Sequence, residues 1–202
     1  MSITAEIADK LKTIGKNEQK VFDAGKKAGY EHFWDVMQQS GQRVNYQRAF
    51  CGGSSWNDET YNPKYPIKHH TTTAPTDMYG YNGSITDTKV PISIKCTNIS
   101  YMFRSASALK TIRQIELLCD ITDAGGAFTC KSLENIIFTG TGRICADVNF
   151  SVCTKLTHDS LLSIINALSD SSAHTLTIGS VNKAKLTAAE LAVATDKGWT
   201  VL

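Results

Sequence analysis

The stretch from Cys96 to Thr157 decides the fold, because it repeats one pattern three times. Its copies read ISYMFRSASALKTI (99–112), AGGAFTCKSLENI (124–136) and ADVNFSVCTKLT (146–157). Aligned on the phenylalanine, four columns share a register: Ile99/Ala124/Ala146, Phe103/Phe128/Phe150, Ala106/Cys130/Cys153 and Leu109/Leu133/Leu156. The spacing of 22 to 25 residues between copies lies in the range of leucine-rich repeats. It predicts stacked coils that bury one another's apolar faces.

Each copy also carries a strand-like segment at a similar phase. These segments are PISIKC (91–96), RQIELLC (113–119) and ENIIFTG (134–140). We expect them to lie side by side in one parallel sheet. The predicted structural core consists of the ring and leucine columns: Phe103, Leu109, Phe128, Leu133, Phe150 and Leu156.

The pattern F-x-x-C-x-x-L-x-x-I, with S-Y-M-F at 100–103, resembles the BspA-like bacterial leucine-rich repeats. These repeats are found in surface proteins and in many phage and prophage structural proteins. The resemblance covers roughly residues 90–202 and implies the fold more strongly than a function. Two departures are Ala106, where the family has cysteine, and Asp159, where the third copy lacks the isoleucine.

A second resemblance lies upstream, between Gly25 and Ile67. The segments FWDVMQQSG (33–41) and WNDETYNPKYPI (56–67) are similar to the leader that precedes such repeats in prophage-encoded, tail-associated proteins. This resemblance implies that the chain is a tail component.

Composition bounds the alternatives. At 202 residues and 42% hydrophobic, the chain can bury one sizeable core. Its 21 basic and 19 acidic residues leave a formal charge of +2, without a run of like charges, which argues against nucleic acid or anionic lipid as a partner. No segment has the apolar length of a membrane span, and the first thirty residues do not resemble a signal peptide. We therefore expect synthesis in the cytoplasm without an export signal, and no membrane insertion.

Residues 1–40 are predicted to form helices that serve attachment or oligomerisation. Residues 2–14 have helical apolar spacing, and Asn17 can cap a second helix that runs to about Ser40. The helix either packs on its own chain or bundles with another subunit, and the family resemblance implies a homotrimer. The predicted oligomerisation residues are Ile3, Ile7, Leu11, Ile14 and Val21.

Residues 41–84 are predicted to be a connector rich in Asn, Tyr, Gly, Thr and Pro. The connector has too many aromatic rings for a solvated linker, so it should lie against something. One interpretation is that the rings cap the first coil. The other is that they form an exposed surface for a partner or glycan, with Trp56, Tyr61 and Tyr65 as partner-binding anchors.

Residues 85–202 are predicted to be the solenoid, of about three to four coils, with a C-terminal cap. Thr157 should cap a helix over 158–168, and HTLTIG (174–179) should be a strand. Thr187 with Glu190 forms a capping box for a helix through Lys197, and WTVL (199–202) should close the sheet. The predicted fold class is therefore α/β: a short leucine-rich-repeat solenoid with a helix–strand cap and an N-terminal helical segment.

The residues that could carry chemistry have structural explanations. The six cysteines lack a C-x-x-C pair, and four of them fall in two repeat columns, Cys130/Cys153 and Cys96/Cys119, so we expect reduced, structural thiols. The Gly-rich segments 51–56 and 138–143 lack the ending of a phosphate loop and are predicted to be turns. The adjacent His69 and His70 point opposite ways in extended chain. We predict a non-enzymatic protein with no catalytic residue, metal site or cofactor.

Two functions of different class remain. The first is a structural component of a phage or prophage tail, whose partners are other virion proteins or a host surface receptor. The alternative is a bacterial cell-surface adhesion module that binds protein or glycan. The missing export signal favours the first, because virion parts leave the cell by lysis.

Overall fold

The computed structural model describes residues 45–52, 56–61, 63, 65–170 and 173–202, which form a mixed α/β protein with parallel sheets. The first sheet contains β1 (Ile67–His69), β2 (Ile92–Ile94), β3 (Thr111–Leu117) and β4 (Asn135–Gly140), in that order. The second contains β5 (Val148–Asn149), β6 (Thr175–Thr177) and β7 (Thr200–Val201). The helices are α1 (His158–Ala167), α2 (Gly179–Lys183) and α3 (Ala188–Asp196).

The first sheet places neighbouring repeats side by side. Ile92 pairs with Ile115, and Ile115 pairs with Phe138. These three side chains are buried, since residues paired across adjacent strands lie on the same face of the sheet and this face packs into the core. The prediction of three adjacent parallel strands is confirmed.

A column of aromatic rings runs through the core. Tyr79, Phe103, Phe128 and Phe150 lie in sequence, with centroid distances of 5.1, 5.9 and 4.6 Å and interplanar angles of 13°, 20° and 16°. Phe50 continues the column at 5.0 Å from Tyr79. All five rings are fully buried. The ring column therefore has two members more than the phenylalanine pattern predicts.

The added members belong to repeats inside residues 41–84. Six residues after Phe50 and Tyr79 stand Trp56 and Ile85, which are buried like Leu109, Leu133 and Leu156. Backbone bonds also join the levels: Phe50 N donates to Met78 O, and Tyr79 N donates to Met102 O. The segment predicted as a connector therefore contains strand β1 and two further levels of the same packing.

The thiols of the cysteine column join successive repeats. Cys130 Sγ donates to the carbonyl of Phe103 at 3.0 Å, and Cys153 Sγ donates to that of Phe128 at 3.2 Å. All six cysteines are free thiols. Burial raises the pKa of Cys153 to about 11 from an ordinary value of 9.0.

This shift makes the free energy of unfolding depend on pH in the alkaline range. Because the folded pKa lies above the unfolded one, the contribution is complete below pH 9 and is lost as the pH rises to about 11. We expect Cys153 to account for a loss on the order of 2 kcal/mol over that window. Urea unfolding of wild type and Cys153→Ala at both pH values measures it. An equal alkaline loss in the two proteins would contradict this assignment.

Helix α1 covers the outer edge of β4. Thr157 caps the helix by accepting from Ser160 N, as predicted. Ser160 Oγ then accepts from Ile136 N at 3.0 Å, and Ser163 Oγ accepts from Phe138 N at 2.8 Å. The two hydroxyls thus satisfy strand donors that would otherwise face an open edge.

The C-terminal segment agrees with the predicted cap except for one connection. Thr187 and Glu190 form the capping box of α3, and Gly198 follows the helix with φ +87°. Strand β7, however, pairs with β6 in the second sheet. The prediction that WTVL (199–202) closes the repeat sheet is therefore wrong, because strands β5 to β7 form a separate sheet.

The predicted N-terminal helices, with Ile3, Ile7, Leu11, Ile14 and Val21, lie outside the described residues. None of the helices in the part of the chain that the structure describes has the length and apolar run that crossing a bilayer requires.

Candidate functional site

Two of the three predicted partner-binding anchors are core residues. Trp56 is 4% exposed and Tyr61 is fully buried. The Phe50 ring meets the Trp56 ring at 5.4 Å and the Tyr61 ring at 4.9 Å, both edge-on. The prediction of exposed anchors is wrong for these two, because rings without accessible surface cannot contact a partner. Tyr65 is 52% exposed and stays a predicted anchor.

Tyr61 also has a hydrogen-bonded role in the core. Its hydroxyl donates to the carbonyl of Thr88 at 2.8 Å and lies 2.5 Å from the Tyr79 hydroxyl. Since Tyr61 has one hydroxyl proton, Tyr79 must be the donor to Tyr61. Burial raises the pKa of both phenols. The pair is an uncharged link between repeats.

The exposed aromatic surface lies elsewhere, in a cluster that we call the Tyr–Arg ridge: Asp77, Tyr81, Tyr101 and Arg104. The Arg104 guanidinium carbon lies 4.7 Å from the centroid of Tyr81 and 4.6 Å from that of Tyr101. Tyr81 is 53% exposed and Tyr101 is 43% exposed. The ridge therefore presents two rings held by one cation.

Asp77 fixes that cation. Arg104 Nε donates to Asp77 Oδ1 at 3.1 Å, and Nη2 donates to Oδ2 at 2.9 Å. This fork-to-fork geometry sets the plane of the guanidinium as well as its position. Because the pair is partly exposed, its contribution to stability is small. Its effect is to order the ridge and balance its charge.

Both ridge tyrosines have left-handed backbone conformations. Tyr81 has φ +56° and Tyr101 has φ +60°, which costs a residue with a Cβ about 1–2 kcal/mol. Gly52 and Gly126 occupy the same positions relative to the ring column in neighbouring repeats, with φ +75° and +63°. Glycine would be unstrained there. The conformation belongs to the repeat, since Arg48, Asp77 and Ser105 at equivalent positions also have φ of +54° to +55°. What distinguishes Tyr81 and Tyr101 is that each places a large exposed ring there.

The ridge suits recognition. Tyr and Arg are enriched among residues that dominate binding energy, and rings held in advance lose little conformational entropy on contact. Gly126 lies directly against Tyr101, since a Cβ on Gly126 would fall 2.8 Å from Cδ1 and Cε1 of that ring. The position of the Tyr101 ring is therefore fixed from the neighbouring repeat as well.

The two adjacent histidines lie on opposite sides of the chain. His69 is fully buried and His70 is exposed, as the extended conformation predicts. His69 Nε2 donates to the carbonyl of Thr73 at 2.6 Å, and Nδ1 has no partner among the described residues. Burial lowers the pKa of His69. It is a neutral core histidine. The described part of the chain contains no group of three or more His, Cys, Asp or Glu side chains that could hold a metal ion.

The Gly-rich segment 138–143 begins as the end of β4 (Asn135–Gly140), so the predicted turn is wrong for residues 138–140 and the chain bends only from Thr141. It borders a shallow cavity of about 200 Å³ whose lining includes Thr139, Arg143 and Asn166. Arg143 Nη1 donates to the carbonyl of Gly142 at 2.9 Å, within the turn itself. The guanidinium therefore stabilises the bend. Gly140 and Gly142 of this segment lie close to the backbone of the preceding repeat, at Leu117 and Cys119.

No protein-family model, curated protein or solved structure matches the chain. The BspA-like resemblance is therefore an expectation from the repeat pattern alone.

Proposed function

We propose that the chain is a non-enzymatic binding protein, built as a short leucine-rich-repeat solenoid, and that it is a component of a phage or prophage tail. Its partners would be other tail proteins or a receptor on the host surface. The repeat pattern at 99–157 and its family resemblance support the tail assignment.

Three features support the solenoid interpretation. Parallel strands of successive repeats pair with one another. The rings of Tyr79, Phe103, Phe128 and Phe150 continue from one repeat to the next. Backbone amides of one repeat donate to carbonyls of the following one. Such quasi-one-dimensional packing leaves an extended surface for recognition.

The observation that carries the binding function is the exposure of two rings held by one guanidinium. Tyr81 and Tyr101 are each about half exposed, and both contact the Arg104 guanidinium, which Asp77 fixes in a bidentate pair. Exposed rings held in advance lose little conformational entropy on contact with a partner. The ridge is therefore the proposed contact surface, and Tyr65 is a second candidate.

Replacing the ridge rings should weaken binding. We expect Tyr81→Gly and Tyr101→Gly each to reduce affinity about thirtyfold, the effect of a binding residue worth about 2 kcal/mol. Affinities are measured by biolayer interferometry against purified tail proteins encoded beside this gene, and by binding to intact host cells. Lys131→Ala, an exposed change, is the matched control. A partner that binds the wild type, Tyr81→Gly, Tyr101→Gly and Lys131→Ala with equal affinity would refute the ridge as its contact surface.

The N-terminal segment has a separate proposed role. We propose that residues 1–40 hold three copies together through Ile3, Ile7, Leu11, Ile14 and Val21. Light scattering of the full chain tests this, and a monomer at micromolar concentration would oppose it.

A further inference from the structure

A buried amide makes two of the hydrogen bonds that join the first described repeat, residues 45–52 and 56–61, to the next. Asn82 is 1% exposed. Its Nδ2 donates to the carbonyls of Phe50 at 3.0 Å and Trp56 at 3.2 Å. Its Oδ1 accepts from the backbone N–H groups of Ser84 and Ile85, both at 2.8 Å. Both donors and both lone pairs of the amide are used, so Asn82 is the clamp of this repeat.

Asn82 stands where later repeats have other residues. It lies three residues after its ring, Tyr79, as Ala106 and Cys153 lie three after theirs. Cys153 makes one bond to the preceding repeat, whereas the amide makes two. At this position of the repeat, the first described repeat is therefore linked by an amide where the third copy uses a thiol.

The residue after the clamp is Gly83, and this is the only Asn-Gly pair in the chain. In such a pair the backbone nitrogen of glycine, free of side-chain hindrance, can attack the asparagine side-chain carbonyl carbon. A C–N bond forms as the glycine nitrogen loses its proton, the bond to Nδ2 breaks, and the leaving NH2 group takes up a proton and departs as ammonia. The product is a five-membered succinimide. Water then opens the ring to an aspartate or an isoaspartate.

The folded geometry opposes this reaction. The attack requires the amide of Asn82 to rotate, which breaks all four of its hydrogen bonds, including those to the carbonyls of Phe50 and Trp56. The reaction must therefore proceed from a state in which the first repeat has opened, as local openings allow. We propose that Asn82–Gly83 is a modification site, whose deamidation is gated by opening of the first described repeat and releases that repeat irreversibly.

The irreversibility follows from the product. After conversion no N–H donor remains to meet the carbonyls of Phe50 and Trp56. A carboxylate would face two acceptor oxygens in a buried site, which strongly opposes reclosure. Isoaspartate would also lengthen the main chain between Tyr81 and Gly83. Release of the first repeat would also break the bond from Gly52 N to Gly80 O. Gly80 directly precedes Tyr81, so the loss of the first repeat would affect the backbone next to the ridge.

The test is to age the full-length protein at mildly alkaline pH and follow the peptide containing Asn82 by mass spectrometry. Deamidation in the native protein should be about a hundredfold slower than in the urea-denatured chain, reflecting the small open population. Trp56→Ala, which loosens the repeat, should accelerate it. Gly83→Ala should suppress it without lowering the melting temperature, since the added Cβ meets only Ser107 Oγ at 3.6 Å.

The aged fraction tests the consequence. After separation by ion exchange, the aged fraction should lose amide hydrogen-exchange protection at Phe50 and Tyr61. Phe150 and Leu133, whose amides bond to Thr177 and Cys130, should keep theirs. Equal rates in native and denatured protein, or full protection at Phe50 after deamidation, would overturn the proposal. Asn82→Asp serves as a product mimic, and the aged wild type replaces it if that variant does not fold.

Discussion

Phe128→Ala is expected to lower the free energy of unfolding by about 3–5 kcal/mol, the usual cost of removing a buried aromatic side chain. The ring is fully buried between Phe103 at 5.9 Å and Phe150 at 4.6 Å, and its side meets Phe138 at 5.9 Å. Its loss leaves a cavity at the centre of the ring column. Urea unfolding measures the effect.

Two further variants make this result specific. Lys131→Ala changes an exposed residue three positions later and should shift stability by less than about 0.5 kcal/mol. Phe128→Leu keeps part of the apolar volume, so its loss of unfolding free energy should lie between those of Phe128→Ala and Lys131→Ala. Equal unfolding midpoints for Phe128→Ala and Lys131→Ala would show that the ring column does not form the core.

Gly142→Ala is expected to destabilise the fold by about 3 kcal/mol or more, at the upper end of overpacking costs. A Cβ at Gly142 would fall 2.1 Å from the carbonyl oxygen and 2.4 Å from the carbonyl carbon of Cys119. Both are backbone atoms of the preceding repeat, so no side chain can move aside. The two repeats would have to separate locally.

The matched control is Gly83→Ala, where the nearest atom is 3.6 Å away. Thermal unfolding of the two alanine variants should therefore differ by many degrees. If Gly142→Ala has the same melting temperature as the wild type, the two repeats do not approach one another closely at Gly142.

Most strands and helices of residues 91–201 could be predicted because their signals are local, but β5 (Val148–Asn149) and α2 (Gly179–Lys183) were not predicted. Strand segments recur at one phase of the repeat, and the Thr157 and Thr187 caps mark helix starts. The phenylalanine and leucine columns follow from a fixed spacing, and all six of those side chains are buried. Period and capping chemistry were sufficient for this part.

The first two repeats were missed because packing conserves shape rather than residue identity. Tyr79 occupies the ring position, Ile85 and Trp56 occupy the leucine position, and Asn82 occupies the cysteine position. A search by residue class, with aromatic, apolar and small positions, would have found them. A search for phenylalanine and leucine did not.

The exposed site was hidden for a different reason. Tyr81 lies two residues after the ring position of its repeat, and Tyr101 lies two before that of the next, so no motif links them. Their left-handed conformations are properties of the folded backbone. Composition marked residues 41–84 as aromatic, but it could not distinguish buried rings such as Tyr61 from exposed rings such as Tyr81.

The most direct test of the binding account is to measure stability and affinity together in one double variant, Tyr81→Gly with Tyr101→Gly. Each change gives up a cation–π contact worth about 0.5–1 kcal/mol and relieves left-handed strain of about 1–2 kcal/mol. The account predicts unchanged or higher unfolding free energy, together with lost attachment to tail partner or host surface. A fall of several kcal/mol in stability with attachment intact would show that the rings serve the fold.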